Sequence, residues 1–230
     1  MNERIGDAGG KAITLHNMAG IHAAQGDPEV ALELYRQSLD IKERIGDARG
    51  KAATLANISQ LQHGAGEYES AFACLRESAA IFAGIRACRD LARVLLDLGA
   101  TAPSGGIVYV AQASWLSAAV AVDLAEAVMA GVLLNSHLGA SHPVSLPSAL
   151  MAVDQCQRRE THPEHARLQA VSASLLQACL DARGAPSEQA AAWLMERNLT
   201  EGARIATALR QEVEQLVPED GWLFDRRRLG

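Results

Sequence analysis

Glycines followed by a lysine at the mouth of a helix are the residues that cradle phosphate, and "RIGDAGGKAITL" at residues 4–15 offers them. A phosphate loop needs Gly, four residues, then Gly-Lys-Ser/Thr, so that backbone N–H groups wrap the phosphates and the hydroxyl holds Mg²⁺. Here only three residues separate Gly6 from Gly10, and Ala12 stands where the hydroxyl must be. Only five residues precede Gly6, and they are no β-branched strand. Spacing and chemistry both exclude nucleotide binding at Lys11.

Other reactive residue types are present without the partners they need. His162 and His165 in "THPEH" sit three apart, with Cys156 and Glu164 nearby, but no HExxH or CxxC accompanies them. They read as imidazoles at a helix start, and His142 in "SHP" as a loop residue. Ser104 in "PSGG" is not the GxSxG elbow of a serine hydrolase. Cys74, Cys88, Cys156 and Cys179 are widely spaced and read as reduced thiols, mostly buried, in a cytoplasmic protein. The expectation is no catalytic residue, no metal and no cofactor.

The chain that must position these groups has 230 residues and a formal net charge of −6, which argues against a nucleic-acid partner. Apolar residues make up 49% and aromatics only 4%, so alanine and leucine carry the packing. That balance favours closely packed helices over sheets. Residues 107–134 are apolar enough to raise a membrane span, but Gln112, Asp123 and Glu126 interrupt them, which favours a buried helix and no membrane partner.

The opening motif then returns: "ERIGDAGGKA" at 3–12 recurs as "ERIGDARGKA" at 43–52. A gapless alignment of 3–42 with 43–82 gives eighteen identities in forty positions. A phosphate site has no need of a second copy at a fixed offset, whereas a stack of repeated helix pairs does. In each unit a first helix, Lys11 to Gln25, packs Leu15, Met18, Ala19 and His22. Gly26-Asp27-Pro28 breaks it, and a second helix to about Arg44 packs Ala31, Leu34, Tyr35, Ser38, Leu39 and Ile41. The second copy repeats this with Leu55, Ile58, Ser59, Ala71, Leu75, Ser78 and Ile81.

This pattern resembles the tetratricopeptide repeat, in the forty-residue variant of kinesin light chains and cell-polarity adaptors. The carrying features are small residues midway along the first helix (Ala19, Ser59) and the turns Gly26-Asp27 and Gly66-Glu67. In the second helix they are the small pairs Ala31 with Ser38 and Ala71 with Ser78. His22 and Gln62 stand where the family commonly has tyrosine. A weaker third copy keeps Ile85, Arg89, Ala92, Leu95, Gly106, Ala111, Ala113 and Ala119 in place, while Pro103-Ser104-Gly105-Gly106 shortens its first helix.

The expected fold is therefore all-α, an α-solenoid of antiparallel helix pairs that the resemblance makes a right-handed superhelix. Three repeats span 1–42, 43–82 and 83–122, followed by degenerate helical repeats or a capping bundle over 123–230. Helices are expected near 122–137, 146–160, 163–183, 187–198 and 200–217, with Pro163 and Pro186 in first turns. The tail "GWLFDRRRLG" at 221–230 is either a frayed end or an aromatic pair, Trp222 and Phe224, that docks while the arginines face acid. Residue 1 falls just before a repeat joint, which leaves open a longer array or self-association at that end.

The resemblance implies a scaffold that binds a protein or peptide in a concave groove lined by first helices. The groove candidates are His16, Asn17, Gly20, Asn57, Gln60, His63, Arg93 and Asp97. Asn17 and Asn57 are register equivalents, and an amide offers both donor and acceptor to an extended backbone. The alternatives are a self-assembling module, a homo-oligomer joined through repeat ends, and the regulatory arm of a larger signalling ATPase or transcription regulator.

Overall fold

The computed structural model describes residues 2–120, 122–185 and 201–228, and every regular element among them is helical. The chain divides into two units, residues 1–104 and 105–230.

The first unit holds α1 (Asn2–Gln25), α2 (Pro28–Ile45), α3 (Ala48–Gly64), α4 (Tyr68–Gly84) and α5 (Cys88–Thr101). They pack consecutively, each against its successor, because the joints are tight. Gly46 closes α2 at φ +74°, in the left-handed region that glycine enters without steric cost. Asp47 then caps α3: its carboxylate accepts the Gly50 N–H at 2.8 Å, an arrangement worth about 1 kcal/mol. A Cβ on Gly50 would lie 2.0 Å from Asp47 Oδ2, so the second glycine makes room for the cap. The repeated Gly-Asp-x-x-Gly is thus a turn and a cap. In the first copy the same residue types continue the helix, since α1 runs unbroken through Gly9 and Gly10. In the third joint Arg86 takes the place of Gly46 and adopts φ +55°.

Small residues let the pairs approach. Ala12, Ala19, Ala31, Ala52 and Ala71 are all buried, and Ser38 Oγ donates to the Ala12 carbonyl at 2.7 Å. Ser78 Oγ makes the equivalent bond to Ala52 at 2.8 Å. Met18 departs from expectation: it is 43% exposed, whereas its equivalent Ile58 is 5% exposed. The reason is positional. Helix α3 is flanked by α2 and α4, but α1 packs mainly on α2, and Ile13, Met18 and Ile21 stay exposed.

The second unit contains α6 (Ile107–Ala119), α7 (Leu124–Leu138), α8 (Ser145–Arg158), α9 (His165–Asp181) and α10 (Gly202–Leu216). The helix expected near 187–198, with Pro186, lies outside the described residues. Helix α6, assigned from sequence to the third repeat, belongs to this unit and is buried on every side from Val110 to Ser117. It packs on α7 and α10, while α8 contacts α7, α9 and α10. Leu124, Val128, Ala152, Cys156 and Leu168 form one core. At Gly131 a Cβ would meet Ser148 Oγ and Leu175 at 3.2 Å, so glycine sets the closest approach of α7 to its neighbours. Pro163 sits in the turn before α9, short of the first-turn position expected for it.

The tail is folded back. Trp222 and Phe224 stack on Trp115 of α6 with ring centroids 5.8 Å away, and on each other at 5.4 Å. Gln112 clamps the main chain there, donating to the Gly221 carbonyl at 3.0 Å and accepting the Leu223 N–H at 2.9 Å. Arg226 lies 4.5 Å over the Trp222 ring and pairs with Glu219 at 2.8 Å. The arginine faces acid and the aromatic pair docks on a helix of its own unit.

Candidate functional site

The lysine of the opening motif is visible in its second copy. Lys51 Nζ lies 2.8 Å from Glu43 and 3.0 Å from Glu77, on the helices either side of α3. Hydrogen bonds to these two carboxylates raise its pKa. A lysine held between two glutamates ties three helices together and has no orientation toward a phosphate.

The groove candidates separate into two clusters. The first surrounds His16 and is closed. Thr54 Oγ1 is its hub: it donates to the Gly50 carbonyl at 2.9 Å, accepts from Lys42 Nζ at 2.8 Å and lies 3.1 Å from His16 Nδ1, which is itself 3.2 Å from Lys42 Nζ. The Asn57 amide then donates to His16 Nε2 and to the Tyr35 hydroxyl, both at 3.2 Å. Three helices contribute, and the His16 and Tyr35 rings meet edge to face at 5.1 Å. Burial lowers the His16 pKa, and the Lys42 ammonium beside it lowers it further. Burial also lowers the Lys42 pKa, against the raising effect of Asp47. Both effects disfavour the charged imidazolium at this position. Gly20 belongs to this wall, since a Cβ on it would touch the Tyr35 hydroxyl at 3.5 Å. Sequence reading missed Lys42, Thr54 and Tyr35 as partners. The signal was there in the register, because Lys42 and Tyr35 lie seven apart on one side of α2.

The second cluster is open. Gln60, His63 and Asp97 line one pocket of about 190 Å³ together with Ser59, Leu75, Ala100 and Thr101. His63 also stacks edge to face on Tyr68 at 5.0 Å. Arg93, one turn before Asp97, is exposed and turns toward Asp90 at 3.6 Å. Asp90 in turn takes the Arg49 guanidinium at 2.7 Å, an ion pair that joins α3 to α5. Asn17 stands apart from both clusters, exposed on α1 among Ile13, Met18 and Ile21. The structure thus brings together His16 with Asn57, and Gln60 with His63 and Asp97.

Residues 10–83 match the family model of the tetratricopeptide repeat. Over that segment, about a third of the chain, the protein is similar to tetratricopeptide repeats. No curated protein matches it. Tetratricopeptide repeats are non-catalytic scaffolds that generally mediate protein–protein interaction. Of the reactive types noted outside residues 10–83, His162 accepts the Glu164 N–H at 3.2 Å and lies 3.6 Å from Asp123. Among the described residues no group of three His, Cys, Asp or Glu side chains is placed to hold a metal ion. All four cysteines are free thiols, and Cys156 and Cys179 are buried. No described helix is long and apolar enough to cross a membrane.

Proposed function

We propose that the first helices of residues 1–104 hold an extended segment of a protein partner. The observation that carries this is the convergence of Gln60, His63 and Asp97 on one pocket, from helices α3 and α5 that share the first-helix position in successive units. The His16–Asn57 cluster serves this reading as a rigid wall: its groups are satisfied by one another, so it positions α1 against α3 and leaves the neighbouring pocket as the contact point.

The reading is tested by panning a random peptide library on the full chain and measuring the affinity of the selected peptides. Asn17→Ala combined with Gln60→Ala removes two exposed amides that hydrogen-bond to no described residue. Two neutral hydrogen bonds at about 0.5–1.5 kcal/mol each correspond to a loss of about tenfold. Glu33→Ala and Glu69→Ala, on the exposed sides of second helices, should leave binding unchanged. The opposite pattern would place the partner on the second helices.

A further inference from the structure

The forty-residue register lets each joint of the first unit be compared with the next, position by position. At the joint of α1, α2 and α3 the polar cluster is Lys42, His16, Thr54, Tyr35 and Asn57. Forty residues on, at the joint of α3, α4 and α5, the same five positions hold Phe82, Ala56, Val94, Leu75 and Asp97. Four of the five have become apolar and buried. The fifth has exchanged an amide for a carboxylate.

Two consequences follow from these substitutions. The imidazole of His16 and the phenol of Tyr35 fill the space beside Asn57, but Ala56 and Leu75 are smaller and carry no polar group. The pocket of about 190 Å³ beside Asp97 has Leu75, the register equivalent of Tyr35, in its wall. The carboxylate has also lost its donors: where Asn57 meets His16 and Tyr35, no hydrogen bond reaches Asp97 from any described residue. Burial pushes its pKa up, while Arg93 and His63 pull it down without bonding to it. A partly buried carboxylate that no described residue bonds, at the edge of a space large enough for one side chain, is complementary to a donor that carries positive charge.

We infer that the Asp97 pocket is the specificity subsite of the first-helix face and receives a cationic side chain, a guanidinium or ammonium, of the bound segment. This rests on the proposed groove for the bound segment, but the cation site itself does not. The alkyl stem of lysine or arginine would lie on Leu75 and Ala100, and the head would donate to Asp97 with Gln60, Ser59 and Thr101 available around it. Along the register the same position is exposed as Asn17 and is satisfied by its neighbours as Asn57, so among these three positions the site falls at Asp97.

The test titrates the full chain with N-acetylarginine amide and with N-acetylcitrulline amide, which has the same shape and no charge, and follows backbone amide NMR shifts. The arginine compound should saturate shifts at Gln60, His63 and Thr101 and bind at least tenfold more tightly than citrulline. Asp97→Asn should abolish that preference. A second variant, Ala56→His with Leu75→Tyr, rebuilds the rings of the preceding joint and should exclude the arginine compound while Asp97 is retained. Equal response to both compounds, or an unchanged preference in Asp97→Asn, would overturn the inference. Library peptides that occupy the first-helix face without a basic residue and ignore Asp97→Asn would also overturn it, leaving the groove intact. Arginine amide bound at Asp97 with no peptide on the face would keep the cation site and remove the groove.

Discussion

The two units bury their polar side chains in opposite ways. In residues 1–104 the buried serine contacts recur: Ser38 on Ala12 returns as Ser78 on Ala52, and both join helices next to one another in the chain. In residues 105–230 the contacts close a long circuit instead. Gln112 of α6 grips the main chain at 221 and 223, and Trp115 Nε1 donates to Glu214 at 2.9 Å. Repetition spreads stability over similar small interfaces, whereas closure concentrates it in a few side chains. A repeat therefore tolerates drift at one joint, as the replacement of the Lys42 cluster by Phe82 and its neighbours shows. A closed unit has no second copy of its clasp.

The largest effect is expected at that clasp. Trp115→Ala removes the ring on which both Trp222 and Phe224 stack, and loss of a buried tryptophan costs about 3–5 kcal/mol. Denaturant unfolding followed by near-ultraviolet circular dichroism measures it. A cost below about 1 kcal/mol would make the tail an ornament of α6 and erase the contrast between the units.

A smaller effect is expected in the repeats. Ala31→Leu or Ala71→Leu forces three extra carbons into a fully buried helix contact, at about 1–3 kcal/mol each. Because the two sites occupy separate joints, the double variant should cost the sum of the singles in equilibrium unfolding. Strong non-additivity would mean that the joints act as one core, and the comparison with the second unit would weaken.

The smallest effect is a pH dependence confined to the first joint. The His16 pKa is lowered in the folded chain, so as pH falls below about 6.5 the unfolded chain takes up a proton that the folded chain resists. Stability contributed by neutral His16 is present at pH 7.5 and is progressively lost on acidification. His16→Gln should flatten the decline in melting temperature between pH 7.5 and pH 5.5. Parallel curves for the two proteins would show that the His16 cluster exerts no control over the joint.

The sequence announced the repeat because its joints depend on local chemistry. Glycine at a positive φ and an aspartate that caps the next helix are read within five residues, so α2, α3 and α4 begin within a residue or two of where Pro28, Asp47 and Glu67 place them. The helices of the second unit were legible through their proline and glycine breaks for a similar reason. Contacts between distant segments were not. Met18 looked identical to Ile58 in pattern, and only the count of flanking helices separates them. The docking of Trp222 was one of two readings, since nothing near residue 222 states that Trp115 waits a hundred residues upstream. At the candidate site the equivalence of Asn17 and Asn57 was plain, but which partners each one meets is decided by three helices at once.

The Gln112 clasp has a consequence for heredity. The glutamine reads one carbonyl and one N–H of the main chain, never a side chain, and a Cβ at Gly221 would meet its neighbours at an ordinary 3.5 Å. Position 221 has room for a Cβ, and both positions disfavour proline, since the Gly221 N–H donates to the Pro218 carbonyl and the Leu223 N–H to Gln112. Two descendants of this chain could share the clasp and its rings while the letters between them diverged beyond alignment. Ancestry in this unit would be recorded by Gln112 and Trp115 rather than by the segment they hold.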